Sequence, residues 1–342
     1  MKRVTIHDIA KELNIAFSTV ARALNDHPAI SEATKKAVRE TAKKLNYRQN
    51  KLASSLRSGH TNTIGIIVPS LDVSFFSSVV HGIEKIMNAN GYSILLYQSN
   101  EQYESEKKGI ETFLNSRVAG IIASVAKETT KFDHFSEIKK RSIPLLFFDR
   151  IVDVLKVPSV TIDDYKGGFI ATEHLIKQGY KRIVHITSGK DISIFNERLR
   201  GYIDALKLYN IPVDESLIIN GDFSLEFGRQ CVADLRQRQV KFDAVFALED
   251  YTAMGVLQQL LAYQVRVPNE VGVIGFANET FTALVTPGLS TIDQQTTQMG
   301  ESSAELFLEM LKSEDLYNNL PERIVLAPHL IVRTSTQRLS TF

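Results

Sequence analysis

The chain has 342 residues, 44% of them apolar, enough for two or three domains with cores of their own. It contains no apolar run of the roughly 18 residues that would predict a membrane span, and its start, "MKRVTIHDIAKEL", is charged and amphipathic where a signal peptide would be apolar. The single cysteine, Cys231, excludes an internal disulfide and fits a reducing compartment, so a cytoplasmic location is expected.

The net charge of +1 is unevenly placed. Residues 1–60 hold 12 Lys and Arg against 5 Asp and Glu, and the remaining 282 hold 28 against 34. A basic head on a mildly acidic body implies a polyanion partner for the head, against the plainer reading of a solvated helix face in "KKAVRETAKK".

Residues 1–47 carry helical patterns only. Thr5 precedes "IHDIAKEL", in which Ile6, Ile9, Ala10 and Leu13 share a face and Asp8 suits the first-turn dipole. After the break "NIA", the stretch "FSTVARAL" predicts a helix burying Val20, Ala21 and Leu24. A loop, "NDHPAI", leads to Ser31, which with Thr34 opens "EATKKAVRETAKKLNY" with Ala33, Ala37, Val38, Ala42 and Leu45 inward. Three short helices joined by a tight turn and a loop predict a helix-turn-helix domain over 1–49.

Residues 50–61 begin "NKLASSLRSG" and predict a helix from Lys51 to Arg57, with Asn50 as cap and Gly59 as stop. Two turns with one Leu52–Leu56 pair fall short of the roughly 12–15 residues an isolated helix needs. The segment is either a linker of helical composition or a helix folded by something outside the chain.

From residue 62 the pattern changes. Near-continuous apolar runs ("TIGIIVPS", "YSILLYQS", "VAGIIAS", "IPLLFFD", "SVTID", "KRIVHITS", "SLIING", "DAVFAL", "VGVIGF") alternate with amphipathic helices such as "FFSSVVHGIEKIMNANG". That alternation predicts parallel sheets covered on both faces. The segment at 182–219 echoes the one at 63–98, so 62–342 is expected to form two similar α/β lobes. The first covers about 62–161 plus 293–323 and the second about 162–292 plus 324–342. Ligands of such sheets bind at the carboxyl ends of strands, here a cleft between lobes.

Enzyme chemistry finds no support in the sequence. "PSLDVSFF" after the first strand is not a glycine-rich phosphate loop, and "GVIGFAN" has neither the Rossmann nor the Walker spacing. The eight histidines show no metal-ligand spacing, His174 and His185 read as packing residues, and Cys231 lacks a neighbouring histidine. No cofactor, metal or catalytic residue is expected.

The stretch "VTIHDIAKELNIAFSTVARALNDHPAISEATKKAVRETAKKLNYRQNKLASSLRSGHTNTIGIIVPS" resembles the head, hinge and first strand of the LacI/GalR family of transcription regulators. "FFDR", "ERLRGY", "GDFS", "VFALEDYTAMGVL", "VPNEVGVIGFANE" and "LSTIDQ" extend the resemblance over nearly the whole chain. It implies an all-α helix-turn-helix head on a two-lobed α/β body related to periplasmic binding proteins. It also implies a homodimer that binds near-palindromic operator DNA under the control of a small metabolite. The expected function is a repressor of carbohydrate-use genes. The alternatives are a sugar-binding receptor or transport module, and a regulator answering to a non-sugar metabolite such as a nucleobase.

By that resemblance Phe17, Ser18 and Arg22 face base edges in the major groove; an arginine can pair bidentately with guanine, and a phenylalanine can touch a thymine methyl. Thr5, Thr19, Asn25, Ser31, Thr34, Tyr47 and Asn50 suit phosphates, although Thr19 and Thr34 also fit local helix-end roles. Ala16 and Ala21 stand where many members have serine, so two polar contacts are missing. The hinge, in this family, folds as two copies meet in the minor groove, with Leu56 as a wedge between base pairs and Leu52 and Ala53 packing helix on helix.

For the effector, the resemblance and the strand ends together point to Phe75, Phe76, Asp149, Arg150, Arg198, Phe223, Glu249 and Asn278. Carboxylates, an amide and arginine bind hydroxyls in pairs, while aromatic faces cover the C–H side of a sugar ring. This mixture suits a neutral or acidic carbohydrate better than a purine. Ala277–Asn278 replaces the family's usual acidic pair, and Glu249 stands where asparagine is common. Family tetramers add a C-terminal leucine-heptad helix, and this chain closes on "STQRLSTF", so a dimer is expected.

Overall fold

The computed structural model describes residues 4–47, 61–189, 192–317 and 322–338. The chain divides into two compact units, Met1–Thr61 and Asn62–Phe342.

In the first unit, α1 (Ile6–Leu13), α2 (Phe17–Leu24) and α3 (Glu32–Lys44) close around Ile9, Val20, Ala23 and Val38, with Ala10 and Ala42 nearly as deep. Both the backbone N–H and the hydroxyl of Thr5 donate to the Asp8 carboxylate, at 2.7 and 2.8 Å, fixing the start of α1. Asn14 ends that helix in the left-handed region (φ 49), a conformation asparagine tolerates, and so makes the tight turn into α2. Two expectations shift. Ala23 rather than Ala21 takes the buried position beside Val20, and Ala33 is exposed on the first turn of α3, whose buried row instead includes Thr41 and the Lys35 stem.

In the second unit, β1 (Thr63–Val68), β2 (Ser93–Gln98), β3 (Gly120–Ala123), β4 (Leu145–Phe148), β5 (Ser159–Ile162) and β11 (Arg323–Leu326) form an all-parallel sheet in the order β11-β5-β4-β3-β1-β2. Side chains alternate across it, as the period of 2 requires. Ile64, Ile66 and Val68 face α4 (Ser74–Ala89) and α11 (Thr296–Lys312), while Ile67 faces α5 (Tyr103–Asn115) and α6 (Asp133–Lys140). The second sheet, β7-β6-β8-β9, repeats the plan with β6 (Ile183–Thr187), β7 (Ile218–Asn220), β8 (Ala244–Ala247) and β9 (Gly272–Ile274), all parallel. It packs against α7 (Asp164–Lys177), α8 (Ser193–Leu208), α9 (Leu225–Gln237) and α10 (Asp250–Ala262). A two-stranded antiparallel pair, β10 (Thr291–Asp293) with β12 (His329–Ile331), adjoins it.

The chain therefore passes between lobes three times: at Asp163, at Gln294–Gln295 and at Ala327–Pro328. The last passage corrects the expected limit at residue 323, because β11 hydrogen-bonds to β5 and completes the first sheet before the chain crosses. Cys231, His174 and His185 are all buried, and His185 stacks between Tyr202 and Phe246 at 4.9 and 4.6 Å.

Candidate functional site

On the head, α2 presents Phe17, Ser18 and Arg22 to solvent, and Phe17 stays 51% exposed although it is a large apolar ring. Among the described residues Arg22 is in no ion pair, so its guanidinium fork is available. Thr5, Asn25 and Ser31 are exposed, and Thr19, Thr34 and Tyr47 half-buried. Ser31 and Thr34 also act locally, since Ser31 Oγ accepts from Thr34 N at 3.2 Å and lies 2.8 Å from its hydroxyl. Asn50, Ala53 and Leu56 lie outside the described residues.

In the body, both lobes direct the carboxyl ends of their strands at a cavity of about 200 Å³. The orders β2-β1-β3 and β7-β6-β8 place a switch point in each sheet there, the position at which such folds bind ligands. Seven of the eight expected effector residues line it: Phe75, Phe76, Asp149, Arg150, Arg198, Phe223 and Glu249. Asn278 does not. Ala277 (φ 127) and Asn278 (φ 55) make a turn that sends the Asn278 amide to Arg333 (2.9 Å) and Asp293 (3.3 Å), leaving Ala277 and Glu279 on the cavity wall. Glu101, Lys127, Phe195, Tyr251, Glu279 and Gln294 also line it and were not anticipated.

The first lobe contributes an ion network. Arg150 Nη1 donates to Glu101 at 2.7 Å, and Lys127 Nζ lies 3.5 Å from the same carboxylate. Burial alone would raise the Glu101 carboxyl, but the two cations outweigh it and hold it below the usual range. Arg150 Nε has no hydrogen-bond partner among the described residues, and Asp149 Oδ2 is 3.8 Å away, beyond hydrogen-bond reach. Asp149, held at φ 58 directly after β4, is pushed above the ordinary carboxylate range by burial.

From the second lobe Arg198 reaches in on α8. Its Nε donates to Asp164 at 2.8 Å, Nη1 to the Leu248 carbonyl at 2.9 Å and Nη2 to Gln294 at 3.3 Å, while the guanidinium lies 3.6 Å from the Phe276 ring centroid. Burial raises the Asp164 carboxyl to about 6 despite that partner. Glu249 caps α10, accepting from Thr252 N at 2.6 Å and Tyr251 N at 3.1 Å, and burial raises its carboxyl too. Contacts also cross the cleft: the Ser74 hydroxyl donates to Glu279, and Lys127 Nζ lies 4.3 Å from the Phe223 ring centroid.

Behind this wall Asp250 is fully buried, accepting from Thr291 Oγ1 at 2.7 Å and Glu279 N at 2.8 Å. Burial, reinforced by the Glu249 and Glu279 carboxylates, raises it from 3.8 to about 7. Because the folded value lies above the unfolded one, the folded chain holds a proton the unfolded chain has released. The resulting stability is complete below the unfolded value and is lost as pH rises through the folded one. His185, lowered to about 3 by burial, acts in the opposite direction, most strongly below its ordinary value of 6.5 and only weakly above it. From roughly pH 6.5 to 8.5 the Asp250 contribution to stability should fall by about 1 kcal/mol, and Asp250→Asn should remove that contribution from the slope. Melting curves across the window check this; an equal slope in the variant would assign the titration elsewhere.

Residues 61–324 match the family model described as periplasmic binding proteins and sugar binding domain of the LacI family, and residues 5–50 match that of bacterial regulatory proteins of the lacI family. The chain belongs to the LacI family. Among its relatives, catabolite control protein A of Priestia megaterium is 32% identical over 336 residues, covering 98% of this chain and 99% of that protein. A transcriptional regulator CelR–cellobiose complex matches with a TM-score of 0.73 at 27% identity, over 97% of this chain and 100% of that one. A lac repressor dimer bound to operator and an anti-inducer matches with a TM-score of 0.87 at 22% identity, over 98% and 100%, and shows the fold. No helix among the described residues is long and apolar enough to cross a membrane.

Proposed function

We propose that the protein is a sequence-specific transcription repressor of carbohydrate-use genes, dimeric in the cell cytoplasm, and that it catalyses no reaction. The observation that carries the effector half is the convergence of Asp149, Arg150, Arg198 and Glu249 with Phe76 and Phe223 on one cavity, since paired polar groups beside aromatic faces recognise hydroxyl-bearing rings. The neighbour solved with cellobiose supports a carbohydrate over the nucleobase alternative. Phe17, Ser18 and Arg22 read bases, the polar residues from Thr5 to Asn50 hold phosphates, and Leu56 with Ala53 forms the hinge contact. These DNA roles rest on the family resemblance and on the exposure of the described head residues.

The basic head displaces counterions, so log K against log salt for operator DNA should fall with a slope of several units. Arg22→Ala should weaken operator binding by about 1–3 kcal/mol with little change on scrambled DNA, as expected of a base contact. Gel shifts on both DNAs over a salt series test this; a flat slope would remove the nucleic-acid assignment. For the effector, a thermal-shift screen of sugars is decisive, because a ligand at 100 times its Kd stabilises by about 2.7 kcal/mol.

A further inference from the structure

The charges around the cavity restrict which carbohydrate it accepts. Four carboxylates line it (Glu101, Asp149, Glu249 and Glu279) against three cations, Lys127, Arg150 and Arg198. Each cation already faces an anion. Arg150 is bound to Glu101 at 2.7 Å, Lys127 stands 3.5 Å from the same group, and Arg198 is bound at 2.8 Å to Asp164, a fifth carboxylate just behind the wall. Asp250, behind Glu249 and Glu279, is raised to about 7 and so adds at most a partial negative charge at neutral pH. The surplus is negative and lies mainly in the second lobe, where, among the described residues, Glu249 is bonded only to the start of its own helix and Glu279 to Ser74. Three of the charged groups are deeply buried: Asp149 and Glu279 are each 5% exposed and Arg198 4%. Charge repulsion is therefore weakly screened.

We infer that this pocket takes a hydroxyl-rich ligand bearing no anionic group, and rejects phosphorylated and carboxylated sugars. The inference rests on the carbohydrate reading above and narrows it, dropping the acidic sugars that residue types alone admitted. Hydroxyls suit the wall because each both donates and accepts. They can donate hydrogen bonds to Glu249, Asp149 and Glu279, and can accept from an arginine without needing its charge. A phosphate or carboxylate offers acceptors only. To pair its charge it must share Arg150 and Lys127 with Glu101, or Arg198 with Asp164, while lying against Glu249. An ammonium group carries the opposite sign and is tolerated. The raised Asp149 and Glu249 carboxyls agree with this surplus, although burial is the first cause of both shifts.

The test is a calorimetric panel on the full-length protein at pH 7. It pairs glucose, ribose and cellobiose with glucose 6-phosphate, ribose 5-phosphate, glucuronate and glucosamine, and adds adenosine and hypoxanthine. The expected result is a best binder among the neutral or amino sugars, with every anionic counterpart at least tenfold weaker. Glu249→Gln with Glu279→Gln should narrow that gap. A phosphorylated or carboxylated sugar that binds as well as its neutral parent overturns the charge inference and leaves the carbohydrate reading standing. A response confined to adenosine or hypoxanthine, or none at all, removes the carbohydrate reading and this inference with it.

Discussion

Arg198→Ala should lose effector binding and a large part of the body's stability together. The side chain is 4% exposed and its Nε is bound to Asp164, itself buried. Removing one partner of such a pair leaves an uncompensated charge and typically costs about 3–5 kcal/mol. The Leu248 carbonyl and the Phe276 ring face lose their partner as well. For the ligand, loss of a charge-assisted donor should cost on the order of 1.5–3 kcal/mol, roughly ten- to a hundredfold in affinity. Arg198→Lys separates the two effects: it keeps a cation against Asp164 but cannot also reach Leu248 and Gln294, so stability should recover more than affinity does. Binding of operator DNA at temperatures below the lowered melting point should persist, because the head has its own core in Ile9, Val20, Ala23 and Val38. Calorimetric titration, melting curves and gel shifts on both variants decide this. Unchanged ligand affinity in Arg198→Ala would displace the effector from this cavity.

Most β strands whose apolar runs could be read from sequence (β1, β3, β4, β5, β6, β8 and β9) are buried on both faces, where hydrophobicity is continuous, while the partly buried edge strands β2 and β7 showed through their apolar residues alone. β10 and β12 escaped because each has three residues, and their pairing joins positions nearly forty residues apart, which no local pattern encodes. β11 alternates exposed and half-buried residues at the sheet edge, so its assignment to the first lobe emerges only from its hydrogen bonds to β5. The cavity shows the same division. Asp149 and Glu249 were found because they follow apolar strands. The same rule applied to the loops after β2 and β3 would have found Glu101 and Lys127. Asn278 also follows a strand, yet the positive-φ turn at 277–278 rotates it towards Arg333 and gives the wall to Glu279. Strand ends are legible in sequence, but the handedness of the turn that follows is not. Nor are the ion pairs: Arg198 stood out by resemblance, while its partner Asp164, 34 residues earlier on α7, did not.

Gly201→Ala, far smaller in chemistry, should act in the same direction as the arginine variant. Helices α7 and α8 cross where Gly168 faces the backbone of Arg198 and Gly201 faces that of Tyr165. A β-carbon on Gly201 would stand 2.2 Å from the Tyr165 carbonyl oxygen and 2.6 Å from Phe169 N. Both obstacles are main chain, so no side-chain rotation relieves them and the helices must part. Overpacking of this kind costs about 1–3 kcal/mol and sometimes more. Against it stands the gain of about 1 kcal/mol from replacing glycine by alanine within a helix. Strain should win, because both contacts lie well inside van der Waals distance. The functional consequence follows from position. Arg198 sits one turn before Gly201 on α8, and its partner Asp164 one residue before Tyr165 on α7, so separating the helices pulls the guanidinium off its carboxylate and away from the cavity wall. The variant should melt lower and bind effector more weakly with the head's DNA contacts intact. A melting point at or above that of the parent protein would mean that the helix gain exceeds the strain and that the two helices are less tightly opposed than their glycines imply.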